Sequence, residues 1–330
     1  MMPTEAPAAL LEVSHLRVEF PTRQGVLVAV DDVSLRIAPG EVLGVVGESG
    51  AGKSLTGMAV LGLLQPPGRV AAGEIRLAGQ RIDNLPAARM RELRGRRIGA
   101  IFQDPITALD PLFTVGDQIT ETIRTHLAVT PAEARERAVA LLREVGIPAP
   151  TQRFDQYPHQ LSGGMRQRVV IALALCAEPG LVIADEPTTA LDVSTQAQII
   201  ELLARLVRER GMGVMLITHD MGVIAAMADR VAVLYAGRVA EIGPVRDVIQ
   251  RPRHPYTVGL MGAIQKRGSL APRLTQIDGA MPRLDAIPGG CAFHPRCDRR
   301  VDRCDRDRPV PIPAGAGAVA CWLYPDAATV

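Results

Sequence analysis

The chain has 330 residues, of which 47% are hydrophobic and only 3% aromatic, so a core of Val, Leu, Ile and Ala is expected. Its 37 basic and 35 acidic residues give a net charge of +2, which offers no electrostatic case for nucleic acid as a partner. The start lacks the basic segment of a signal peptide, and no apolar run approaches the roughly 20 residues of a membrane-spanning helix. These features predict a soluble protein with, at most, a peripheral role at a membrane.

The first 103 residues carry strand patterns joined by turns. The predicted strands are Leu16–Phe20, Val26–Ile37, Glu41–Val46, Gly73–Leu77 and Arg97–Phe102. The strand that ends at Val46 runs into a glycine-rich loop, and helical spacing follows over Lys53–Leu64. This strand–loop–helix order predicts an α/β fold with parallel strands.

Helical periodicity dominates the next part of the chain, with helices predicted over Asp117–Leu127 and Pro131–Val145. The α/β pattern then resumes with predicted elements at Gly163–Cys176, Leu181–Ala184, Thr195–Glu209, Gly213–Thr218 and Arg230–Tyr235. After Gln250, Pro and Gly become dense and periodicity weakens. We therefore predict a mixed α/β core (1–103 and 166–250), an inserted helical subdomain (104–165) and a small C-terminal appendage (251–330), called the tail below.

Residues 47–54 read Gly-Glu-Ser-Gly-Ala-Gly-Lys-Ser and fit the phosphate-loop pattern G-x-x-x-x-G-K-[ST]. Glycines let backbone N–H groups approach phosphate oxygens, and the helix that follows presents its positive end to the same anion. Lys53 is placed to reach the β and γ phosphates, and Ser54 to ligate Mg²⁺. The predicted nucleotide contacts in this phosphate loop are Gly47, Ser49, Gly50, Gly52, Lys53 and Ser54.

Two carboxylates follow the apolar strand that begins at Leu181. Asp185, at the strand end, is predicted to hold Mg²⁺, and Glu186 to orient and polarise the attacking water. The alternative is a strand capped by solvated acids, which is disfavoured because a phosphate loop is already present.

Residues 161–167, Leu-Ser-Gly-Gly-Met-Arg-Gln, resemble the signature of ATP-binding cassette (ABC) proteins. In that family two subunits sandwich ATP, with the phosphate loop from one and the signature from the other. The resemblance implies a P-loop NTPase fold of the ABC type and nucleotide contacts from Ser162, Gly163, Gly164 and Gln167. Taken alone, a Ser-Gly-Gly helix start would be ordinary capping.

The other family markers occur in the expected order along the chain. Gln103 resembles the glutamine loop that joins core to helical subdomain, and would act in catalysis and at Mg²⁺. Ala190-Leu191-Asp192 resembles the loop that crosses the dimer interface, and His219 resembles the switch histidine that contacts the γ-phosphate. Phe20 is a candidate for stacking on adenine, with a core strand residue as the alternative.

Three segments resemble the oligopeptide and dipeptide importer branch: Tyr157-Pro158-His159-Gln160, residues 186–193, and His254-Pro255-Tyr256-Thr257. This resemblance implies a peripheral ATPase at the cytoplasmic face of the inner membrane. Its implied partners are two membrane-spanning subunits, a second ATPase subunit (related or identical) and an extracytoplasmic solute-binding protein. The alternatives are a nickel, glutathione or other small-solute importer, a soluble ABC ATPase acting on DNA or ribosomes, and a mainly regulatory ATP-binding subunit.

Four of the five cysteines lie in the tail with the spacing C-x5-C-x6-C-x16-C: Cys291, Cys297, Cys304 and Cys321. They suggest a metal staple for a segment with little core, and the resemblance implies a [4Fe–4S] cluster, with zinc or no metal as alternatives. Cys176 is predicted to be a core residue. None of the predicted nucleotide contacts comes from the tail, so the nucleotide site is expected to tolerate changes there. The arginines near the cysteines are predicted to form a solvated face: Arg296, Arg299, Arg300, Arg303 and Arg306.

Overall fold

The computed structural model describes residues 9–189, 191–263 and 277–324. Within these ranges the strands are β1 (Leu11–Thr22), β2 (Gly25–Ile37), β3 (Val42–Val46), β4 (Arg69–Leu77), β5 (Gln80–Arg81), β6 (Ile98–Ile101), β7 (Leu181–Asp185), β8 (Gly213–Ile217), β9 (Arg230–Tyr235), β10 (Arg238–Pro244), β11 (Ile312–Ala314) and β12 (Gly317–Val319). The α-helices are α1 (Lys53–Leu61), α2 (Ala87–Leu93), α3 (Pro105–Ala108), α4 (Val115–His126), α5 (Pro131–Glu144), α6 (Pro150–Phe154), α7 (Gly163–Leu175), α8 (Val193–Arg210), α9 (Met221–Met227), α10 (Val245–Gln250) and α11 (Pro255–Gly262). None of the helices in the described ranges is both long and apolar enough to cross a membrane.

These elements form two compact bodies. The helical body contains the described residues of 9–10, 38–41 and 84–216. The strand body contains the described residues of 11–37, 42–83 and 217–324. The phosphate loop and the tail belong to the strand body, whereas Gln103, Glu186 and the signature segment belong to the helical body.

The strand body contains two groups of paired strands. One is an antiparallel sheet of order β2-β1-β4-β5. The other has the order β11-β12-β10-β9-β3, in which β3 and β9 are parallel and the other pairs are antiparallel. All five residues of β3 are buried, which is typical of a parallel strand covered on both faces. This strand ends at Val46, so the phosphate loop begins directly after a buried strand.

The helical body places strands β8, β7 and β6 side by side, with β6 and β7 parallel. Helices α4, α5, α6 and α7 pack against one another through small and branched apolar residues such as Ile119, Ile123 and Ala138. Helix α5 begins at a capping box in which the Thr130 and Glu133 side chains bond each other's backbone N–H groups, as the Thr130-Pro131 pair predicts. The expected α/β fold with a mixed sheet and helices inserted between its strands is confirmed.

Two predictions on local structure need correction. Helix α1 ends at Leu61, not Leu64, because Gly62 adopts a left-handed conformation (φ 63°) and closes the helix. The tail has more regular structure than its composition predicts, since β12 pairs with β10 and Phe293 and Val319 are buried. Its strands of three residues are too short to show a periodic pattern.

Candidate nucleotide site

The phosphate loop adopts backbone conformations that depend on glycine. Gly52 precedes α1 with φ 96°, and a Cβ there would lie 3.0 Å from the carbonyl oxygen of Ala29. Gly47 has φ 153°, and a Cβ there would clash with the carbonyl oxygen of Leu234. The loop is also fastened to the β9–β10 turn, because the Gly237 N–H donates to the carbonyl of Ala51 at 3.0 Å. Gly47 and Gly52, the two glycines that the motif fixes, are therefore required by close backbone contacts.

Lys53 extends back across the loop that precedes it. Its ammonium group donates to the carbonyl oxygens of Gly47 at 2.8 Å and Glu48 at 3.0 Å, and only 7% of the residue is exposed. The next residue, Ser54, is exposed at the first turn of α1. The loop thus holds a buried cation at a helix N-terminus, which is an arrangement suited to a polyphosphate.

The tail contacts the phosphate loop, which the sequence analysis did not foresee. The N–H of Glu48 donates to the hydroxyl oxygen of Tyr256 at 2.8 Å, and the Glu48 carboxylate pairs with Arg296 at 2.9 Å. The Arg296 side chain is only 8% exposed, so its assignment to a solvated face is wrong. The sequence held one signal for these contacts, the segment that contains Tyr256, but gave no indication of what it touches.

Two further predicted residues belong to the strand body. The Thr218 N–H donates to the carbonyl of Val45 at 3.2 Å, which places His219 beside the strand that enters the phosphate loop. His219 itself is exposed. Phe20 is half-buried on β1, opposite Leu27, and its ring lies against Gly68.

In the helical body, Gln103 and Glu186 are brought together by parallel strands. Ile101 of β6 lies opposite Ala184 of β7, so the segments that follow both strands emerge at the same edge. There the Gln103 amide donates to the Glu186 carboxylate at 2.9 Å, and the Thr189 hydroxyl donates to the same oxygen at 2.8 Å. Both predicted acids, Asp185 and Glu186, are half-buried at this edge.

The backbone of Glu186 is also unusual. Its φ is 48°, in the left-handed region that few residues other than glycine adopt. Such conformations cost on the order of 1–3 kcal/mol and persist where surrounding contacts fix them. The hydrogen bonds from Gln103 and Thr189 reach its side chain and aim the Glu186 carboxylate in one direction.

The signature segment opens α7. Ser162 is the N-cap of this helix, and its hydroxyl accepts from the Met165 N–H at 3.3 Å. Gly164 packs closely against Thr195 of α8, where a Cβ would lie 2.8 Å from the Thr195 methyl group. Asp192 caps α8 in the same way, and the N–H of Thr195 lowers the pKa of its carboxyl group. A surface pocket of about 450 Å³ is lined by Ser162, Gly163, Gly164, Leu191 and Asp192, among others.

The remaining predicted residues near the signature are placed as follows. Gln167 is 1% exposed, and its amide nitrogen has no hydrogen-bond partner among the described residues. Ala190 lies outside the described residues. Cys176 is buried, as predicted, and burial raises the pKa of its thiol to about 12.

The four tail cysteines lie close enough to influence one another. Burial is the main cause that raises the pKa of Cys291 to about 11, and the charges of the three other tail cysteines raise it further. The Cys291 N–H also donates to the Cys304 carbonyl at 2.8 Å. However, no group of three or more His, Cys, Asp or Glu side chains among the described residues is arranged to hold a metal ion. The prediction of an iron–sulfur or zinc site is therefore unsupported.

Comparison with known proteins decides the family. Residues 30–189 match the family model for ABC transporters, and residues 240–304 match the model for the C-terminal region of oligopeptide/dipeptide transporters. The chain is 48% identical over 316 residues to the dipeptide transport ATP-binding protein DppD of Bacillus subtilis, covering 95% of this chain and 94% of that protein. The chain belongs to the ABC transporter ATPases. The resemblance drawn from the motifs is confirmed.

A further relative and two solved structures agree with this family assignment. The chain is 48% identical over 307 residues to a putative peptide import ATP-binding protein of Brucella melitensis, covering 89% of this chain and 91% of the relative. Among solved structures, the dimeric ATP-binding cassette MJ0796 bound to ADP and Pi aligns with a TM-score of 0.65 and 29% identity, covering 72% of this chain and 99% of that one. The cbiO1 protein of Clostridium perfringens, part of an ABC transporter complex, aligns with a TM-score of 0.63 and 29% identity, covering 77% and 95%. The Bacillus and Brucella relatives are named as transport or import ATP-binding proteins, and this chain covers most of the length of each.

Proposed function

We propose that this ABC ATPase powers the import of oligopeptides or dipeptides. The observation that carries the proposal is the tail, because residues 240–304 match the C-terminal region of the oligopeptide/dipeptide class. The relatives named above for peptide or dipeptide transport support it. Importers of nickel, glutathione or another small solute are the alternative.

We assign phosphate binding to the loop of residues 47–54. Backbone N–H groups at Gly47, Ser49, Gly50 and Gly52 would face the phosphates, and Lys53 would contribute a point charge. Mg²⁺ prefers oxygen ligands, and the proposed ones are the side chains of Ser54, Gln103 and Asp185, the last acting through water. Bound there, the ion would offset negative charge on the phosphates. Phe20 is the proposed contact for adenine.

Hydrolysis is assigned to three side chains: Glu186, Gln103 and His219. Glu186 would accept a proton from the attacking water, and its observed bonds to Gln103 and Thr189 would keep its carboxylate aimed. His219 would contact the γ-phosphate. Because Gln103 bonds to Glu186 and directly precedes the helical subdomain (104–165), a shift of that subdomain would move the carboxylate.

The signature would complete the site of a second ATPase subunit, identical or related to this one. The helix start at Ser162 is exposed, and the surface pocket beside it also includes Asp192. The N–H groups of Gly163 and Gly164, in the first turn of α7, would donate to the phosphates of ATP held by that second subunit. Gln167, which is buried in the same helix, is the remaining proposed contact with that nucleotide.

The working assembly would also contain two membrane-spanning subunits and an extracytoplasmic solute-binding protein. The ATPase would then lie at the cytoplasmic face of the inner membrane. Exposed apolar residues near Gln103, namely Ile106, Leu112 and Phe113, suit a contact with another protein.

The experiment that tests the function is transport by the assembled complex in proteoliposomes. Labelled dipeptides and peptides of up to about five residues should accumulate with ATP, and should compete with one another. Accumulation of nickel or glutathione but not of peptides would reject the peptide assignment while leaving the ATPase intact.

The iron–sulfur cluster, with zinc as the alternative, stays a prediction that rests on the cysteine spacing alone. Iron, sulfide and zinc can be measured in protein purified without oxygen, together with a Cys297→Ser variant. Iron with matching sulfide, lost in the variant, would support the cluster. Metal-free protein with a protease-resistant tail would reject both metals.

A further inference from the structure

The phosphate loop contains an acidic residue, Glu48, at a position that the motif leaves open. A carboxylate beside a polyphosphate is electrostatically unfavourable unless a cation offsets it. Every polar group of Glu48 has a partner within the strand body. Its N–H donates to Tyr256, its carbonyl accepts from Lys53, and its carboxylate accepts from Arg296.

Arg296 holds this carboxylate with both terminal nitrogens. The Nη1–Oε2 and Nη2–Oε1 distances are 2.9 and 3.1 Å, which is the paired geometry that makes arginine–carboxylate contacts strong. The rest of the guanidinium donates to backbone carbonyls, the closest being Asp278 at 2.8 Å. Because the side chain is nearly buried and its donors are occupied, its position is fixed independently of any nucleotide.

Tyr256 fixes the backbone of the same residue. It is fully buried, and its ring packs against Tyr235 and Phe293 at centroid distances of 4.7 and 5.5 Å. Its own N–H donates to the ring nitrogen Nδ1 of His254 at 3.0 Å. Three of the ten aromatic residues of the chain are thus gathered where the tail meets the phosphate loop. Aromatic side chains are rare in this chain, so this small region holds a large share of them.

We propose that Arg296 and Tyr256 are positioning residues of the nucleotide site. Arg296 neutralises Glu48, so that incoming phosphates do not meet an uncompensated carboxylate. Tyr256 occupies the Glu48 N–H and keeps the loop open in the conformation that Lys53 and the glycines require. The proposal rests on the assignment of the loop to phosphate binding, and it makes the tail a working part of that site.

The test is nucleotide affinity of the full chain by calorimetry, with Mg²⁺ and either ATP, ADP or AMP. Arg296→Gln should weaken ATP binding about tenfold, ADP binding less, and AMP binding hardly at all, because the penalty grows with phosphate charge. The maximal ATPase rate of the assembled complex at saturating ATP should stay within about twofold, since Arg296 does not touch the reacting groups. Arg296→Lys should recover part of the affinity.

A second background separates neutralisation from mere folding support. In a Glu48→Gln protein, adding Arg296→Gln should cost less than about threefold in ATP affinity, because the charge that needed a partner is gone. The control is Arg306→Gln, an exposed tail arginine paired with Asp305, which should bind ATP like the unmodified protein. Equal losses for ATP and AMP, or equal losses in both Glu48 backgrounds, would overturn the role of Arg296.

Tyr256→Phe removes only the oxygen that accepts from Glu48 and leaves the ring cluster in place. ATP affinity should fall several-fold, since the partly buried N–H of Glu48 loses its partner. Tyr324→Phe is the matched control, because it removes another tail hydroxyl, bonded to the Arg253 carbonyl. Unchanged ATP affinity in Tyr256→Phe would reject its role. The assignment of the loop itself fails separately, if Lys53→Ala binds ATP as well as the unmodified protein.

Discussion

The phosphate loop of the strand body and the signature segment of the helical body both lead into a helix, yet their surroundings differ. Lys53 and Arg296 are nearly buried around the loop, and Tyr256 is fully buried. Ser162 and Asp192 are exposed, and each caps its own helix. A loop that must close on an anion by itself is organised in advance by burial. A segment left open is suited to completing a site with another subunit, as we propose.

The largest effect is expected at the carboxylate of the helical body. Glu186→Gln should lower ATP hydrolysis by about 10²- to 10⁴-fold, because an amide cannot accept the proton of the attacking water. ATP binding should be kept, since the phosphate loop lies in the other body. Turnover of the assembled complex and nucleotide affinity are measured side by side. Hydrolysis at the unmodified rate would show that another group acts as the base.

The second largest effect is expected on ATP binding, at the phosphate loop. Lys53→Ala should weaken ATP binding by about 10²-fold, because it removes a buried charge that would pair with the phosphates. Lys53→Arg is the control, because it keeps the positive charge and changes the shape of the side chain. Calorimetry on the isolated subunit gives the affinities, and an unchanged value in the alanine variant would refute the phosphate-loop assignment.

A change in the signature segment, unlike one in the phosphate loop, should leave ATP affinity intact and affect dimerisation instead. Ser162→Arg is expected to leave ATP affinity of the isolated subunit within about twofold, while preventing ATP-dependent dimerisation because the new side chain fills the pocket. Light scattering of the hydrolysis-deficient Glu186→Gln protein, with and without the second substitution, measures this. A collapse of monomer affinity would mean that the signature serves its own subunit.

The smallest effect is on the free energy of unfolding, and it arises at the buried side chain of His254 in the tail. Burial lowers the pKa of His254 from its ordinary 6.5 to about 4, so the unfolded chain binds an extra proton between those values. The free energy of unfolding is therefore at its full value above about pH 6.5, and it falls as the pH drops toward 4. At pH 5 the loss should be about 2 kcal/mol.

Urea unfolding at pH 7 and pH 5 checks this pH dependence. His254→Asn keeps a side chain that can cap α11 but does not titrate, so its stability should change less between the two pH values. An equal change in both proteins would show that other groups cause the acid sensitivity.

The sequence predicted the helical body well because its signals are local. The Thr130 capping box, the apolar strand β7 and the Ser162 cap each involve residues a few positions apart. Gln103 and Glu186 were both assigned to the catalytic site from the sequence, but their pairing was not predicted. Only the parallel register of β6 and β7 accounts for the distance of 2.9 Å between them.

The sequence by itself determined the family, the phosphate loop and the identity of the nucleotide-site candidates, because their glycines, lysine and carboxylates stand at fixed spacings along the chain. The tertiary structure alone decided what supports that loop. Glu48 and Arg296 are separated by 248 positions, and Arg296 reads from sequence like its exposed neighbours. Whether an arginine is a solvated charge or a buried partner depends on what folds around it, and no local pattern records that.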